Sequence, residues 1–397
     1  MRFRLSNIFI IFPFIFTIFI FVKFKNSSTN FDEKESQVIS IPNECVCESK
    51  KTGKLYNFCY NLPENKQKRG KRFSCKFLDF WERFEESKSV DIKTDQIPNP
   101  VFVTAFSSGF ISNAVRMISS IRKLGISMKI VIYDLGLTPD DNNILKQACN
   151  IEIRKFDFSI FPESMKELRE YRWKPIVIAE CLADFGSIWY LDTSVVLEKS
   201  NISHVYDLIN CQKENIERLP LLPSFQRDIR EKTEKHEDGW NKDIWLRNLK
   251  ECRKSSYLLH GYSGHGILSV TNPEVYNWIP SNFEELRKEK AKMYDAGFVY
   301  AVNTKTIMLD IMKWYVLCAL ENSCMGPENS SLICSFENDD RFKKYAECHR
   351  YDQSIINLLL ANANFYDRRY YVSEIVDFFH IKRNGNLNVN NEEMQCI

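Results

Sequence analysis

From residue 101 onward, short runs of consecutive apolar residues alternate with stretches in which apolar residues recur every three or four positions. Val101-Phe-Val-Thr-Ala-Phe106 is a run of buried-strand type, broken by Ser107-Ser108-Gly109. Ala114, Val115, Ile118 and Ile121 then predict a helix from about Ser112 to Leu124, closed by Gly125. Met128 to Tyr133 predicts a second strand, followed by Asp134-Leu-Gly136. Thr138-Pro139-Asp140-Asp141 caps a further helix, and Ile151 to Phe156 predicts a third strand. A helix starting near Pro175 and ending at Gly186 leads into the strand Ser187 to Leu191, with Asp192 at its carboxyl end. Strands alternating with helices predict a parallel, doubly wound sheet. Ligands of such sheets lie beyond the carboxyl ends of the strands, which puts Thr104 to Gly109 and Asp134 to Gly136 on the active edge. No Gly-x-Gly-x-x-Gly follows the first strand, so the fingerprint of dinucleotide oxidoreductases is missing.

The pattern before residue 101 is different. Leu5 to Val22 carries no charge and is just long enough to span hydrocarbon as a helix, with Arg2 and Arg4 before it and Lys23 and Lys25 after it. No Ala-x-Ala follows the run, which favours an uncleaved anchor over a removed signal peptide. Residues 1–25 are therefore expected to form a short cytosolic tail and one transmembrane signal-anchor, giving a type II single-pass protein. Residues 26–98 are polar and turn-rich, contain Cys45, Cys47, Cys59 and Cys75, and are expected to form a lumenal stem. The run Lys66 to Arg72 reads as a solvated loop. Residues 99–397 remain for one domain, beginning after Pro98-Asn99-Pro100.

All 13 cysteines follow the apolar run, as expected of a chain facing an oxidising lumen of the Golgi or endoplasmic reticulum. Cys318, Cys324, Cys334 and Cys348 suggest two disulfides, and the odd total leaves at least one thiol unpaired, for which Cys396 is a candidate. Acceptor sequons at Asn26, Asn201 and Asn329 fit the same compartment. Composition adds an exclusion. With 54 Lys and Arg against 52 Asp and Glu, the chain lacks the excess of positive charge that nucleic-acid binding needs.

Asp192, at a strand's carboxyl end, is placed to hold a divalent cation against a diphosphate, and Lys174, at the preceding helix start, adds positive charge. The bland reading is a turn-capping Asp192 and a solvated Lys174. His260-Gly-Tyr-Ser-Gly-His-Gly266 is a Gly-rich turn before a predicted strand, Ile267 to Val270. It misses the serine-hydrolase elbow by one place, and its histidines lack zinc-site spacing. Asp352 stands before Ile355, Ile356 and Leu359 at a helix amino terminus, which by itself suits a first-turn charge. His380, after two phenylalanines, reads equally as a packed residue. The charged stretch Arg227 to Lys254 reads as a solvated loop and helix, with a lid over the donor as the alternative.

An apolar strand ending in Tyr-Leu-Asp, with Lys174 about 18 residues upstream, resembles the nucleotide-sugar site of GT-A glycosyltransferases, above all the glycogenin and galactosyltransferase type. The chain is still more similar to a nematode-rich family of single-pass glycosyltransferase-like proteins. That likeness is carried by Val103 to Ser108, Trp173 to Ser194, His260 to Leu268, Trp314 to Leu320 and Cys348 to Ser354, within roughly residues 100 to 380. The resemblance implies a GT-A-like α/β fold, a mixed sheet flanked by helices. It implies hexosyl transfer from a nucleotide-diphospho-sugar to a glycan or glycoprotein, with Mn²⁺ or Mg²⁺ as cofactor. Thr104, Ala105, Phe106, Ser107 and Asp134 would then meet the nucleotide, Lys174 and either Lys382 or Arg383 the diphosphate, and Gly264, His265 and Gly266 the sugar pocket. Asp192, Ser194 and His380 would hold the metal, with Asp352 and Gln353 beside the transferred sugar as the catalytic pair. The departure is Ser194, where such enzymes carry a second aspartate. A hydroxyl is a weaker ligand for a hard cation. The alternative it raises is a catalytically inactive member that binds glycans or assists assembly.

Overall fold

The computed structural model describes residues 41–210, 254–373, 375–383 and 391–396. The expected anchor at 1–25, the sequon at Asn26 and the charged stretch up to residue 253 lie outside the described residues. Among those described, no helix is long and apolar enough to cross a membrane. Pro42–Ile397 forms one compact unit.

Six strands make the central sheet: β1 (Val101–Phe106), β2 (Ile130–Asp134), β3 (Ile151–Lys155), β4 (Ser187–Leu191), β5 (Tyr257–Leu258) and β6 (Phe298–Val302). Their order is β5-β6-β4-β1-β2-β3. β4, β1, β2 and β3 run parallel, whereas β6 is antiparallel to β4 and β5 to β6. The sheet is therefore mixed, and the purely parallel reading holds only for its first half. The chain winds outward from β1 through β2 to β3, then returns to place β4 on the other side of β1. That reversal leaves a crevice beyond the carboxyl ends of β1 and β4, the place where open α/β sheets take ligands.

The helices follow the apolar spacing. Ile111–Lys123 buries Ala114, Val115, Ile118 and Ile121, and Thr138 caps Pro139–Leu145 through a reciprocal capping box with Asp141. Trp173–Phe185 is apolar nearly all round, because it lies between the sheet and the equally buried helix Lys313–Leu320. Buried Arg172 fixes its amino end by donating to the carbonyls of Ala319, Glu321 and Asn322 at 3.2, 3.1 and 2.9 Å. The predicted strand Ile267 to Val270 is instead a 3₁₀ turn, Leu268–Val270, preceded by the strand Tyr262–Gly266, whose partner is Lys292–Tyr294.

The cysteine-rich segment before residue 98 packs onto this body. Its disulfides are Cys45–Cys59 and Cys47–Cys75, and its Phe58, Phe73 and Trp81 are fully buried. Phe73 packs on Trp278 and Trp314 with centroids 5.0 and 6.0 Å apart, and Lys313 Nζ donates to the Asn57 carbonyl at 2.8 Å. The basic run is an exposed strand, Asn65–Arg72, rather than a loop. The late pairs are Cys318–Cys324 and Cys334–Cys348. Cys396 is not the free thiol: it bonds Cys149, because the Met394 carbonyl takes the Cys149 amide at 3.2 Å and brings the chain end alongside. The free cysteine among the described residues is Cys181, buried in the helix Trp173–Phe185.

Candidate functional site

At the crevice, Lys174 is buried and its ammonium lies 3.1 Å from Asp192 Oδ1 and 2.7 Å from Asp352 Oδ2. The first helical turn of Trp173–Phe185 thus meets the end of β4 and the first residue of the helix Asp352–Ala363. The contact with Asp352 is an ion pair without hydrogen-bond alignment, so that oxygen keeps an unused acceptor position. The Tyr190 hydroxyl donates to Asp192 Oδ1 at 2.8 Å. Burial works against the charged lysine, but the two carboxylates outweigh it and hold its pKa above the ordinary value. Burial also pushes the Asp352 carboxyl up to about 6, with Lys174 opposing and Asp192 reinforcing the rise. Tyr351, just before it, has φ 45°, a strained backbone for a non-glycine residue that turns the chain into the helix.

Gln353 Nε2 donates to Ser263 Oγ at 3.1 Å, which ties the amide to the glycine-rich strand. Asn357, one turn on, accepts the Tyr294 amide and donates to the Tyr294 carbonyl, both at 2.8 Å. That clamp sets Asp295 at the site. Burial first, and the Asp192 charge, raise the Asp295 carboxyl to about 6 against the pull of Arg383, Arg350 and Lys174. Two residues later the Gly297 carbonyl accepts the Asp192 amide at 2.7 Å. A side chain at Gly297 would put Cβ 2.6 Å from Asp192 Oδ2, so the close approach requires glycine.

Asp295 and Arg350 were not singled out from the sequence. The available signal was Asp295-Ala-Gly297 ahead of the apolar run Phe298 to Val302, a strand-entry turn like the one examined at 260–266.

Other expected residues do not converge. Thr104, Ala105 and Phe106 are buried within β1, and of the four only Ser107 lies past the strand, because β1 continues two residues beyond Thr104. Asp134 Oδ1 is occupied by the amides of Gly136 and Leu137 at 2.8 and 2.6 Å and closes its own turn. His265 is buried and stacks on Phe336, and burial lowers its pKa to about 4. Gly266 lies against Phe342, and Gly264, at φ 88°, serves the bend of the strand. Lys382 is exposed, and its amide donates to the Ser194 carbonyl at 2.8 Å.

The expected metal set does not assemble. His380 pairs across the ribbon with Val196, and its Nδ1 sits 2.7 Å from Glu198 Oε1, not on Asp192. Asp192 is already held by Lys174 and Tyr190, and Ser194 contributes no carboxylate. Among the described residues no three His, Cys, Asp or Glu side chains are grouped to hold a metal ion. The donor set present does not fit the Mn²⁺ or Mg²⁺ that the resemblance implies.

Residues 45–179 match a family described as a protein of unknown function, DUF1647. No curated protein matches the chain. Among solved structures, the galactosyltransferase LgtC in complex with donor and acceptor sugar analogs aligns at 12% identity over 68% of this chain and 72% of its own, with a TM-score of 0.29. Mouse xyloside xylosyltransferase 1 aligns at 10% identity over 69% of this chain and 84% of its own, with a TM-score of 0.33. The glycosyltransferase GlyE of Streptococcus pneumoniae aligns at 10% identity over 69% and 45%, with a TM-score of 0.30. Scores of this size mark partial superposition only.

Proposed function

We propose that the chain is a glycosyltransferase that moves a sugar from a nucleoside-diphosphate donor to a glycan or glycoprotein, anchored by its amino-terminal span and facing the lumen of the Golgi or endoplasmic reticulum. The observation that carries this reading is the ammonium of Lys174 shared between Asp192 and Asp352 at the strand-order reversal. These three residues stand 178 positions apart in sequence, from Lys174 to Asp352, yet meet at the crevice where such a sheet takes ligands.

In the proposed reaction the bond from the anomeric carbon to the diphosphate oxygen breaks, and its electron pair leaves with the nucleoside diphosphate. The acceptor hydroxyl oxygen bonds the anomeric carbon and sheds its proton to the released diphosphate or to water. Positive charge develops on the sugar meanwhile. A buried carboxylate fixed in advance stabilises that charge without reorganisation, and this is the role assigned to Asp352. Lys174 keeps Asp352 ionised and oriented, and the Gln353 amide lies beside it for a sugar hydroxyl.

The test uses the full chain purified in detergent and a panel of nucleotide sugars, measuring release of nucleoside diphosphate. Turnover with one donor, lowered at least about 100-fold by Asp352→Asn, is expected. No turnover and no thermal shift with any nucleoside diphosphate overturns the reading. Glycan binding without nucleotide binding would identify the inactive member that Ser194 suggests.

A further inference from the structure

The proposed transfer needs the negative charge of its leaving diphosphate neutralised, and the described residues offer a way that uses no metal. Resting on the glycosyltransferase reading, we infer that Arg350 and Arg383 hold the donor's diphosphate, in place of a divalent cation.

Hard cations take six or more oxygen ligands and draw on several carboxylates. Here Asp192 Oδ1 receives Tyr190 at 2.8 Å and Lys174 at 3.1 Å, while Oδ2 lies against Gly297 and 3.4 Å from Lys174 Nζ. Ser194 gives its carbonyl to Lys382, and His380 gives Nδ1 to Glu198. Both oxygens of Asp192 are therefore engaged within the site, and Ser194 adds no second carboxylate for a cation.

The arginines have the opposite character. Arg350 is held by its own backbone: its amide donates to Ser354 Oγ at 3.1 Å and to the Val270 carbonyl at 3.2 Å, just before the Tyr351 turn. Its Nε is buried and has no partner. Arg383 directly follows Lys382, whose amide is pinned to the Ser194 carbonyl at 2.8 Å and whose carbonyl accepts Arg116 Nη2 at 2.5 Å. The anchor is itself cationic, because Arg116 is buried with Nε and Nη1 unpartnered. The charges of Arg350 and Arg383 both bear on Asp295, and that of Arg383 bears on Arg350.

Lys174 is paired with Asp192 and Asp352 at 3.1 and 2.7 Å, whereas the Nε of Arg350 is buried without a partner. A sugar whose anomeric carbon becomes positive suits the two carboxylates, and a diphosphate suits the uncommitted guanidinium. Guanidiniums bind phosphate oxygens through paired, charge-assisted hydrogen bonds.

The experiment titrates the full chain in detergent with UDP, GDP, ADP and CDP by calorimetry, in EDTA and in excess Mn²⁺, and with the monophosphate of whichever base binds tightest. The diphosphate is expected to bind in EDTA within about twofold of its affinity in Mn²⁺. Arg350→Ala and Arg383→Ala are each expected to weaken it by about 10- to 100-fold, the worth of one hydrogen bond to a charged group. Both variants should bind the monophosphate nearly as the parent does, a result that a general folding defect would not give. Binding that requires Mn²⁺ overturns the inference and leaves the glycosyltransferase reading standing. Binding in EDTA that survives both substitutions overturns the arginine assignment. No nucleotide bound in either buffer overturns the transferase reading and this inference with it.

Discussion

Replacing Lys174 by methionine keeps much of the side chain's volume but deletes the ammonium between Asp192 and Asp352. Asp352 bears most of this loss, because its side chain is only 5% accessible while that of Asp192 is 33% accessible and can turn to water. Leaving one member of a buried ion pair unmatched costs about 3–5 kcal/mol. The sign of the pH dependence follows from Asp352. Its carboxyl already titrates at about 6 with Lys174 present, above the ordinary aspartate value, so the folded chain takes up this proton before the unfolded one. Without the ammonium the carboxyl must rise further. The penalty is then complete only above that raised value, and it fades as pH falls to 6, where the acid is neutral in the variant. Protonation limits it to about 1.4 kcal/mol per pH unit above the parent's titration, or about 2 kcal/mol at pH 7.5. At about 2 °C per kcal/mol for a domain larger than 200 residues, Lys174→Met should lower Tm by roughly 4 °C at pH 7.5. At pH 5 it should lower Tm by less than half as much. The double variant Lys174→Met/Asp352→Asn removes both charges and should recover most of the loss at pH 7.5. Scanning calorimetry of the three proteins at both pH values decides it. An equal Tm loss at pH 5 and 7.5, or a double variant no better than the single, would refute an ionised Asp352 held by Lys174.

Three further outcomes rest on separate contacts. Gly297→Ala suits the backbone, whose φ is outside the left-handed region, yet sets Cβ 2.6 Å from Asp192 Oδ2; Tm should hold within about 3 °C while nucleotide-sugar turnover falls about tenfold or more, and unchanged turnover contradicts the placement of Asp192. Gly70→Ala sets Cβ 1.9 Å from the Trp278 carbonyl oxygen, so the cysteine-rich segment must lift from the body, at a cost of about 2–4 kcal/mol read as a lowered denaturant midpoint. Were the segment an independent stem, that midpoint would not move. Asp295→Asn should raise Tm at pH 7.5 and lose its advantage below pH 5, because the carboxyl, raised to about 6, is ionised at cost only above that pH; a gain that persists at pH 4.5 argues against it.

What the pattern of residues could foretell depends on how far apart the interacting parts lie. The parallel half of the sheet was legible because each apolar run is bounded by its own punctuation: Ser107 to Gly109, Thr138-Pro139, Gly186. Lys174 and Asp192 were legible as a pair because one helix and one strand separate them, and those elements set their geometry. Thr104 shows the limit within one strand. An apolar run announces a strand but not which residue first clears the sheet, and the ladder carries β1 through Phe106, opposite Asp134. Asp295 shows the limit between strands. Nothing local distinguishes Asp295-Ala-Gly297 from any polar strand entry, since its position comes from β6 pairing antiparallel with β4, Phe298 opposite Leu191, and from Asn357 gripping Tyr294. The same holds for Tyr60 and Phe73, isolated aromatics in a polar stretch that pack on Trp278 and Trp314 more than 190 residues away. A reading of the residues therefore finds those parts of a site built by consecutive elements. It misses those delivered by a distant strand, as Asp295 is.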